Sequence, residues 1–454
     1  MAILGLVSTE QYTADKFTNI RRSVQYFYPN GTAPLTGLLS LMGKEDEETD
    51  DPIYSHWEKV KVRQADTTVS SGGSLGPFTN TSGTVMADPF TWTADTSYRV
   101  YTTLDHTGTS AKFRLGHVLQ IEATSTTSTP LTGIITAIAA TYVTVRANNT
   151  VAGVINGATN ENVGVNVTVI GTAFPQGVVD LTGQISTAPR QITNNTQIFR
   201  TPFSFTGTVL KTGLKYDKTG PYRDKAKEHS LQHMCELEFA FLFGNKSVYV
   251  PAGAVDPTTG VGLPVYTTGG VLYHMRRWEA GDYGTVTASV DTDDDKRIIT
   301  NSSGTINEKQ YDGYLERVFR VTNNTANEKL VLCGSGFLNI MNQLYKSKSV
   351  LDASFPRSDA YGMSVVRHVT PFGEVYYKSH PLFSEDPTLR FNALFLDLNN
   401  LKYRYMIGRD TELLKNRQPP DADYRKDEYL SECGMECWFP QSNMYLQNVR
   451  AYAP

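Results

Sequence analysis

The alternation of hydrophobic and polar residues divides the chain into an extended N-terminal part, one long helix, and a C-terminal part of mixed helices and strands. The long helix is predicted over residues 219–245, with Pro221 just inside its start and Gly244 at a left-handed stop. Its apolar stripe recurs at spacings of three and four residues and consists of Tyr222, Ala226, Ser230, Met234, Leu237 and Phe241. Because the last turns are apolar almost all round, we expect the C-terminal half to be buried.

Two extended segments flank a region of different composition. Residues 51–66 alternate as a long strand does, and residues 194–208 do the same far downstream. We predict that they pair as a projecting hairpin, because charge and bulk on both faces do not suit a core strand. Between them, residues 70–190 are rich in Thr, Gly, Val, Asn and Ala, with short strand patterns separated by turn residues. This composition predicts a small all-β domain inserted into the hairpin.

Residues 1–50 have mixed polarity and are predicted to be an arm that lies against a partner or stays mobile. Its acidic end, residues 44–51, is either a solvated face or a salt-sensitive contact with a neighbour's basic patch. Residues 246–270 are predicted to be a loop rich in proline and glycine.

The C-terminal part combines helices and strands. Thr305 and Glu308 have the spacing of a capping box, which predicts a helix with Tyr311, Tyr314, Leu315, Val318 and Phe319 on one face. A short buried strand over residues 329–333 then leads through glycines into a helix over residues 337–345. Further strands flank a predicted turn at residues 370–373 and continue as one sheet.

Composition excludes several classes of protein. The net charge of −4 gives no basic excess for gripping nucleic acid. The four cysteines are too few for a disulfide framework and suit a reducing cytoplasm. A basic signal region and an apolar run of about 18 residues are both missing, so we expect a soluble chain that is not exported and has no membrane partner.

Candidate metal ligands are few. The acidic residues 291–296 lack the glycine and the closing glutamate of a calcium loop, so a solvated turn is favoured. Cys433 and Cys437 would lie about 13 Å apart in a strand, at roughly 3.3 Å per residue, and are predicted to be buried small side chains. His229 and His233 stand four apart on the long helix without a third ligand, which favours a surface or interface pair.

Candidate catalytic motifs are equally few. Gly334-Ser335-Gly336 lacks the third glycine of a dinucleotide loop and the lysine of a phosphate loop, so a tight turn is favoured over phosphate binding. The chain contains neither a His-Glu-x-x-His pattern nor a Gly-x-Ser-x-Gly nucleophile turn. We therefore predict a structural protein with no enzymatic activity, no cofactor and no metal.

The order of these parts resembles the major capsid protein of tailed bacteriophages, the fold named after coliphage HK ninety-seven, in its subfamily with a β-domain in the extended loop. The stretches that carry the resemblance are PIYSHWEKV, GTAFPQG, NNTQIFRTPFSFTGT, EKLVLCGSGFLNIMNQLY and DEYLSECGMECWFPQSNMYLQNV. The resemblance implies an α+β fold. Its expected parts are an N-terminal arm (1–50), an extended-loop hairpin (51–69 and 191–210), an inserted β-rich domain (70–190), a long spine helix with the peripheral domain (211–304), an axial domain (305–430), and a closing strand with a C-terminal tail (431–454).

The resemblance also implies a function. A subunit of this family self-assembles as hexamers and pentamers into the icosahedral head of a tailed phage, with portal, scaffolding and decoration proteins as expected partners. The expected location is the virion, after assembly in the host cytoplasm, with only weak non-specific contact to packaged double-stranded DNA. A long charged scaffolding segment does not precede the arm, so the sequence does not support an internal scaffold that is removed by proteolysis.

Aromatic residues and arginine carry most of the energy of interfaces, so the hairpin suggests four inter-subunit anchors. They are Trp57, Arg63, Phe199 and Phe203. An alternative function is a phage tail or adhesin protein whose β-rich middle binds a receptor or carbohydrate.

Overall fold

The computed structural model describes residues 47–59, 64–71, 76–107, 111–123, 125, 129–156, 162–176, 186, 188–212, 221–251, 262–281, 296–320, 327–346, 357–360 and 363–453. Most of the predicted arm, Arg63 and the acidic stretch at 291–295 lie outside these residues. The chain divides into two compact units. The first unit contains residues 1–56, 192–280 and 297–454, and the second contains residues 57–191 and 281–296.

All of the described α-helices lie in the first unit, whereas strands occur in both units. The α-helices are α1 (Gly207–Lys211), α2 (Pro221–Phe243), α3 (Val271–Glu279), α4 (Glu308–Arg320), α5 (Ser335–Lys346) and α6 (Pro381–Glu385). The first strands are β1 (Glu47–Thr49), β2 (Ile53–Glu58), β3 (Ala65–Thr67), β4 (Phe78–Asn80), β5 (Phe90–Trp92), β6 (Ser97–Tyr101), β7 (His117–Ile121), β8 (Leu131–Ile138), β9 (Tyr142–Ala147), β10 (Val151–Val154), β11 (Asn166–Thr172), β12 (Arg190–Asn195) and β13 (Gln197–Thr206). The later strands are β14 (Ser247–Tyr249), β15 (Val265–Thr267), β16 (Ile298–Thr300), β17 (Thr305–Ile306), β18 (Glu328–Cys333), β19 (Arg357–Ala360), β20 (Met363–Thr370), β21 (Gly373–Ser379), β22 (Ala393–Leu396), β23 (Leu401–Met406), β24 (Glu412–Leu414), β25 (Tyr424–Cys437), β26 (Met444–Gln447) and β27 (Ala451–Tyr452).

The predicted long helix is α2, which begins at Pro221 and ends at Phe243. Its last turns are buried on one side only, through His233, Leu237, Glu238, Phe241 and Leu242. Met234 is 43% exposed, so its place in the buried stripe was wrong. No helix in the described part of the chain is long and apolar enough to cross a membrane.

Gly244 ends α2 for a different reason from the one predicted. It does not have the positive φ of a left-handed stop, in contrast to glycines such as Gly408. A Cβ at this position would lie 2.4 Å from the carbonyl oxygen of Ala240 and 2.7 Å from that of Thr268. The helix therefore ends on a glycine because another backbone passes too close for any side chain.

The predicted hairpin is confirmed only where β2 pairs with β12, and it is corrected at the long strand β13. Strand β13 pairs antiparallel with β25 over its whole length, from Gln197 opposite Cys433 to Thr206 opposite Tyr424. Residues 51–66 form two strands, β2 and β3, and the partner of β2 is β12. The reason is burial: β13 places one face against α2, which removes more apolar surface from water than a free hairpin would.

Two sheets build the first unit. One has the order β1-β23-β25-β13, with β24 also paired to β25, and the other has the order β16-β26-β22-β18-β21-β20-β19. The predicted continuous C-terminal sheet is therefore divided, because β22 and β23 belong to different sheets. Small two-stranded pairs complete the unit, namely β2 with β12, β14 with β15 and β17 with β27.

Strand β18 lies between two apolar cores. Leu330 and Leu332 belong to the core that contains α2 and α3, whereas Val331 and Cys333 belong to the core beneath α4 and α5. Successive side chains of a strand point to opposite faces, so this strand is covered on both sides. The prediction of a short buried strand at residues 329–333 is confirmed by these positions.

Helix α4 begins at Glu308, and its predicted apolar face is confirmed, with Tyr311, Leu315, Val318 and Phe319 buried. The capping box, however, is formed by other residues. The Gln310 amide donates to Asn307 Oδ1 at 2.9 Å, and the Asn307 amide donates to Gln310 Oε1 at 3.2 Å. The predicted cap, Thr305, pairs instead with Ala451 in β17 and β27.

The second unit is built from strands in its described residues. A seven-stranded sheet has the order β3-β11-β7-β8-β9-β6-β4, and β5 pairs with β10. The fully buried Trp92 stacks on Tyr98 at 4.4 Å and meets Phe78 edge-on, at the centre of an apolar core. The predicted strand patterns within residues 97–172 are confirmed as β6, β7, β8, β9 and β11.

The buried carboxylate of Asp427 in β25 is hydrogen-bonded to the start of α2. Asp427 accepts hydrogen bonds from Tyr222 Oη at 2.5 Å, from the Arg425 guanidinium at 2.9 Å and from the Asn416 amide at 2.8 Å. Desolvation on its own raises the pKa of Asp427, but these hydrogen bonds hold the pKa below its usual value. A depressed folded-state pKa gives stability that is present above the unfolded pKa of about 3.9 and is lost as pH falls through the folded pKa.

Replacing Asp427 by Asn should therefore lower stability at pH 7 by about 1–3 kcal/mol, since a charged acceptor of three donors is lost. The difference from the parent protein should shrink as pH falls below about 4, where the parent carboxylate is also neutralised. Thermal unfolding between pH 7 and pH 3 measures both effects. The control is Asp421→Asn at an exposed position. A difference that is constant with pH would contradict this role of Asp427.

Candidate subunit-contact surfaces

Trp57 is the predicted anchor that the structure leaves on the surface. Strand β2 alternates, with Ile53 and Trp57 pointing outward while Tyr54, His56 and Glu58 point inward. Trp57 is 59% exposed. The neighbouring Glu58 side chain is fully buried and accepts a hydrogen bond from Arg190 at 2.9 Å, which fixes the strand that carries the indole. The assignment of Trp57 to an interface stays a prediction.

Phe199 and Phe203 are not surface anchors. Each is only 6% exposed. Phe203 stacks on His229 of α2, with ring centroids 5.3 Å apart and planes 4° apart. Phe199 belongs to the core with Leu237 and Phe241. The prediction for these two phenylalanines is corrected, because they bind the chain's own long helix. Phe199, Phe203 and Phe205 share one face of the strand, but this pattern does not distinguish packing on the chain's own helix from packing on a neighbour.

The histidine pair on α2 has a structural role. His233 is 1% exposed, and its ring nitrogens lie 2.9 Å from Thr201 Oγ1 and 2.7 Å from Ser431 Oγ. The prediction of a surface or interface pair is therefore corrected for His233, which is buried among residues of its own chain. Burial lowers the pKa of His233, which favours the neutral ring that links β13 to β25. Within the described residues, no cluster of His, Cys, Asp and Glu has metal-binding geometry.

The cysteines of the described chain are free thiols. Cys333, Cys433 and Cys437 are buried, as predicted for the last two. Burial raises the pKa of Cys333 and of Cys433 to about 12. These thiols therefore stay protonated at neutral pH and pack as small apolar side chains.

The glycines around Ser335 belong to a close-packed turn. A Cβ on Gly334 would lie 2.2 Å from the carbonyl oxygen of Arg390, and one on Gly336 would lie 2.7 Å from the ring of Phe391. The first amides of α5 already have partners, because Ser335 N donates to Ser384 Oγ and Phe337 N donates to the Arg390 carbonyl. This geometry supports the tight turn that was favoured over a phosphate site.

A row of glutamates on β25 is covered by arginines. The ion pairs are Arg200 and Arg417 with Glu428, Arg409 with Glu432, and Arg404 with Glu436. The carboxylates are 9% exposed or less, whereas the guanidinium groups at Arg200, Arg409 and Arg417 are about half exposed. This face of the sheet therefore presents positive charge to its surroundings.

Exposed apolar side chains concentrate at a few places in the first unit. The two-stranded pair of β14 and β15, the ribbon, carries five of them at 37% exposure or more: Val248, Tyr249, Val250, Leu263 and Val265. Its base is held by Asn195 Nδ2, which donates to the Ser247 carbonyl at 3.2 Å. The loop predicted at residues 246–270 is corrected by these two strands, whose valine and tyrosine residues are typical of β-structure.

Other exposed apolar residues lie on turns and helices. They include Val369 and Phe372 at the turn between β20 and β21, Met234 and Phe239 on α2, and Ile407 after β23. Where exposed apolar side chains lie together, as on the ribbon, they mark interaction sites in soluble proteins. The described part of the chain thus has buried cores and also several apolar side chains that remain exposed to solvent.

Comparison with family models identifies the family to which this chain belongs. Residues 8–450 match the family model described as SU10 major capsid protein. The chain belongs to this family. It is therefore a bacteriophage major capsid protein, and its role is that of the main structural subunit of the shell.

Solved shells resemble this capsid protein at low identity. The capsid of cyanophage A-1(L) shares 10% identity, with a TM-score of 0.38 and coverage of 62% of this chain and 85% of that chain. The capsid of a native GTA particle shares 11% identity, with a TM-score of 0.38 and coverage of 62% of this chain and 82% of that chain. The SrpI encapsulin of Synechococcus elongatus PCC 7942 shares 10% identity, with a TM-score of 0.36 and coverage of 59% of this chain and 79% of that chain. A search of curated proteins found no match.

Substitution of Phe203 tests whether this residue belongs to the core of the subunit. Phe203→Ala should destabilise the isolated subunit by about 3–5 kcal/mol, because it opens a cavity between β13 and α2. Chemical denaturation of unassembled protein measures this change. Ile198→Ala is the matched control on the opposite, 52% exposed face of the same strand, and its effect should stay within about 0.5 kcal/mol. Equal effects of the two substitutions would show that Phe203 is not a core residue.

Proposed function

We propose that this capsid protein assembles as hexamers and pentamers into a closed icosahedral head around double-stranded DNA, in the host cytoplasm. The family match over residues 8–450 carries this proposal, and the exposed apolar ribbon and turns support it. The subunit acts by binding its neighbours and carries out no chemical reaction. Its net charge of −4 would let packaged DNA move along the lining without adhering.

We further propose that residues 70–190 form an inserted domain that stands outward on the shell. Compactness supports this proposal, because residues 57–191 cluster, together with residues 281–296, as a separate unit with its own apolar core. Such a domain offers a platform for decoration proteins. Portal and scaffolding proteins are the other expected partners of the assembled subunit.

Electron microscopy of the purified protein tests assembly, and Trp57 tests one contact. We expect shells or capsomers, whereas fibres or trimers would favour a tail or adhesin protein.

Trp57→Ala should reduce the yield of shells while the melting temperature of the free subunit stays unchanged, because an exposed indole adds little to the fold. Ile170→Ala is the control, since Ile170 is 55% exposed in the same unit. Shell yields equal to the parent would remove Trp57 from the interface.

Excision tests whether the second unit is an insertion. Glu58 and Arg190 form an ion pair of 2.9 Å on neighbouring strands, so a short Gly-Ser linker can join residue 58 to residue 190. The shortened protein should remain folded, with a cooperative thermal transition, but should form altered or less stable shells. An unfolded product would show that these residues belong to the main core.

A further inference from the structure

A groove opens on the first unit between α5 and the β20-β21 hairpin. Its volume is about 340 Å³. It is lined mainly by Leu338, Asn339, Met341, Asn342, Val366 and Tyr377. These side chains carry no charge, and the wall is predominantly apolar. A concave apolar site of this size is suited to receive one or two apolar side chains.

The same hairpin ends in an exposed apolar turn. Val369 is 62% exposed and Phe372 is 40% exposed. Thr370 Oγ1 accepts hydrogen bonds from the amides of Phe372 and Gly373 at 3.3 and 3.1 Å, and donates to the Gly373 carbonyl at 2.7 Å. The turn is therefore held in one conformation, and little conformational entropy remains to be lost when a partner covers it.

The turn also presents no net charge. Within the hairpin, the charged residues Arg367 and Glu374 on either side of the turn form an ion pair with each other. An uncharged apolar projection and an uncharged apolar groove can meet without leaving a charge desolvated. The two surfaces are thus chemically matched.

A subunit cannot insert Val369 into its own groove. Val366 and Tyr377 line the groove as a directly opposed pair, whereas Val369 stands opposite Glu374, three positions further along the strand. Side chains three positions apart in a strand point to opposite faces. The groove and this side chain therefore lie on different faces of one hairpin, so Val369 cannot enter the groove of its own subunit.

The sizes agree. An apolar cavity of about 150 Å³ holds one benzene molecule, so a groove of 340 Å³ has room for a phenyl ring together with a branched side chain. Phe372 and Val369 supply these two groups from positions three residues apart.

We propose that Val369 and Phe372 of one subunit insert into the groove between α5 and the β20-β21 hairpin of the next copy. This contact rests on the proposed function, since it requires copies that assemble. It joins two different surfaces of the same chain, so it is head-to-tail. Contacts of this kind close into rings when the rotation between copies permits it, as the hexamers and pentamers of a shell require.

Paired cysteines test the contact. The variant combines Phe372→Cys and Asn339→Cys with Cys235→Ser, because the remaining native cysteines are buried. After mild oxidation of assembled protein, denaturing gels without reductant should show covalent dimers, trimers and longer ladders that reductant removes. A mixture of the two single-cysteine proteins should stop at dimers, because each copy then offers only one half of the contact.

The control pairs Asn339→Cys with Ile407→Cys, which is 55% exposed beyond the other sheet of the unit, and it should remain monomeric on the gel. Shells that assemble without covalent ladders would overturn the contact and leave the proposed function intact. A ladder from Asn339→Cys with Tyr249→Cys, in place of Phe372→Cys, would overturn it in favour of the ribbon. A parent protein that forms neither shells nor capsomers would contradict the proposed function, and this contact with it.

A second variant keeps the test decisive if the cysteine pair prevents assembly. Phe372→Asp places a carboxylate where the apolar groove should cover it, so shell yield should fall strongly. The melting temperature of the unassembled subunit should not change, because the turn is exposed in the free chain. Unchanged shell yield would overturn the contact.

Discussion

The ladder between β13 and β25 is the interaction on which the first unit depends. It joins residues that are more than 200 positions apart, over ten consecutive pairs from Gln197 to Thr206. One face of the ladder packs on α2 through Phe199 and Phe203. The other face carries the glutamates of β25 beneath their arginines. The ladder therefore brings the long helix, β25 and the arginine-covered surface together.

Buried polar contacts set the register of this arrangement. His233 links hydroxyls of β13 and β25, and Asn194 donates to the carbonyls of Gly269 and Met435 at 2.9 and 2.8 Å. In the neighbouring sheet, the buried Lys329 ammonium donates to Asp397 Oδ2 at 2.7 Å. A shift of one residue in any strand would leave these groups buried without partners, which costs more free energy than the contacts themselves contribute. The polar groups thus select one pairing among several apolar ones.

A subunit that buries most of its apolar side chains in its own core has only limited apolar surface left for assembly. The described chain leaves it on small, well-supported features: the ribbon of β14 and β15, the turn at residues 370–373, and Trp57 on β2. Rigid apolar projections lose little entropy when they are covered, so many modest contacts can close a shell of identical subunits. This arrangement differs from the predicted projecting hairpin, since β13 pairs with β25 of its own subunit.

Local sequence alone determined several elements of this protein. Periodicity located α2, the helix at Glu308–Arg320 and the short strands within residues 97–172, and turn residues located the turn at 370–373, because each depends on neighbours in sequence. Only the tertiary structure decided that β13 pairs with β25, that Phe199 and Phe203 are core residues, and that Gly244 faces a passing carbonyl. It also moved the helix cap from Thr305 to Asn307, since pairing with Ala451 places Thr305 in a strand. Such choices depend on competition for burial between distant segments, and no local pattern records its outcome.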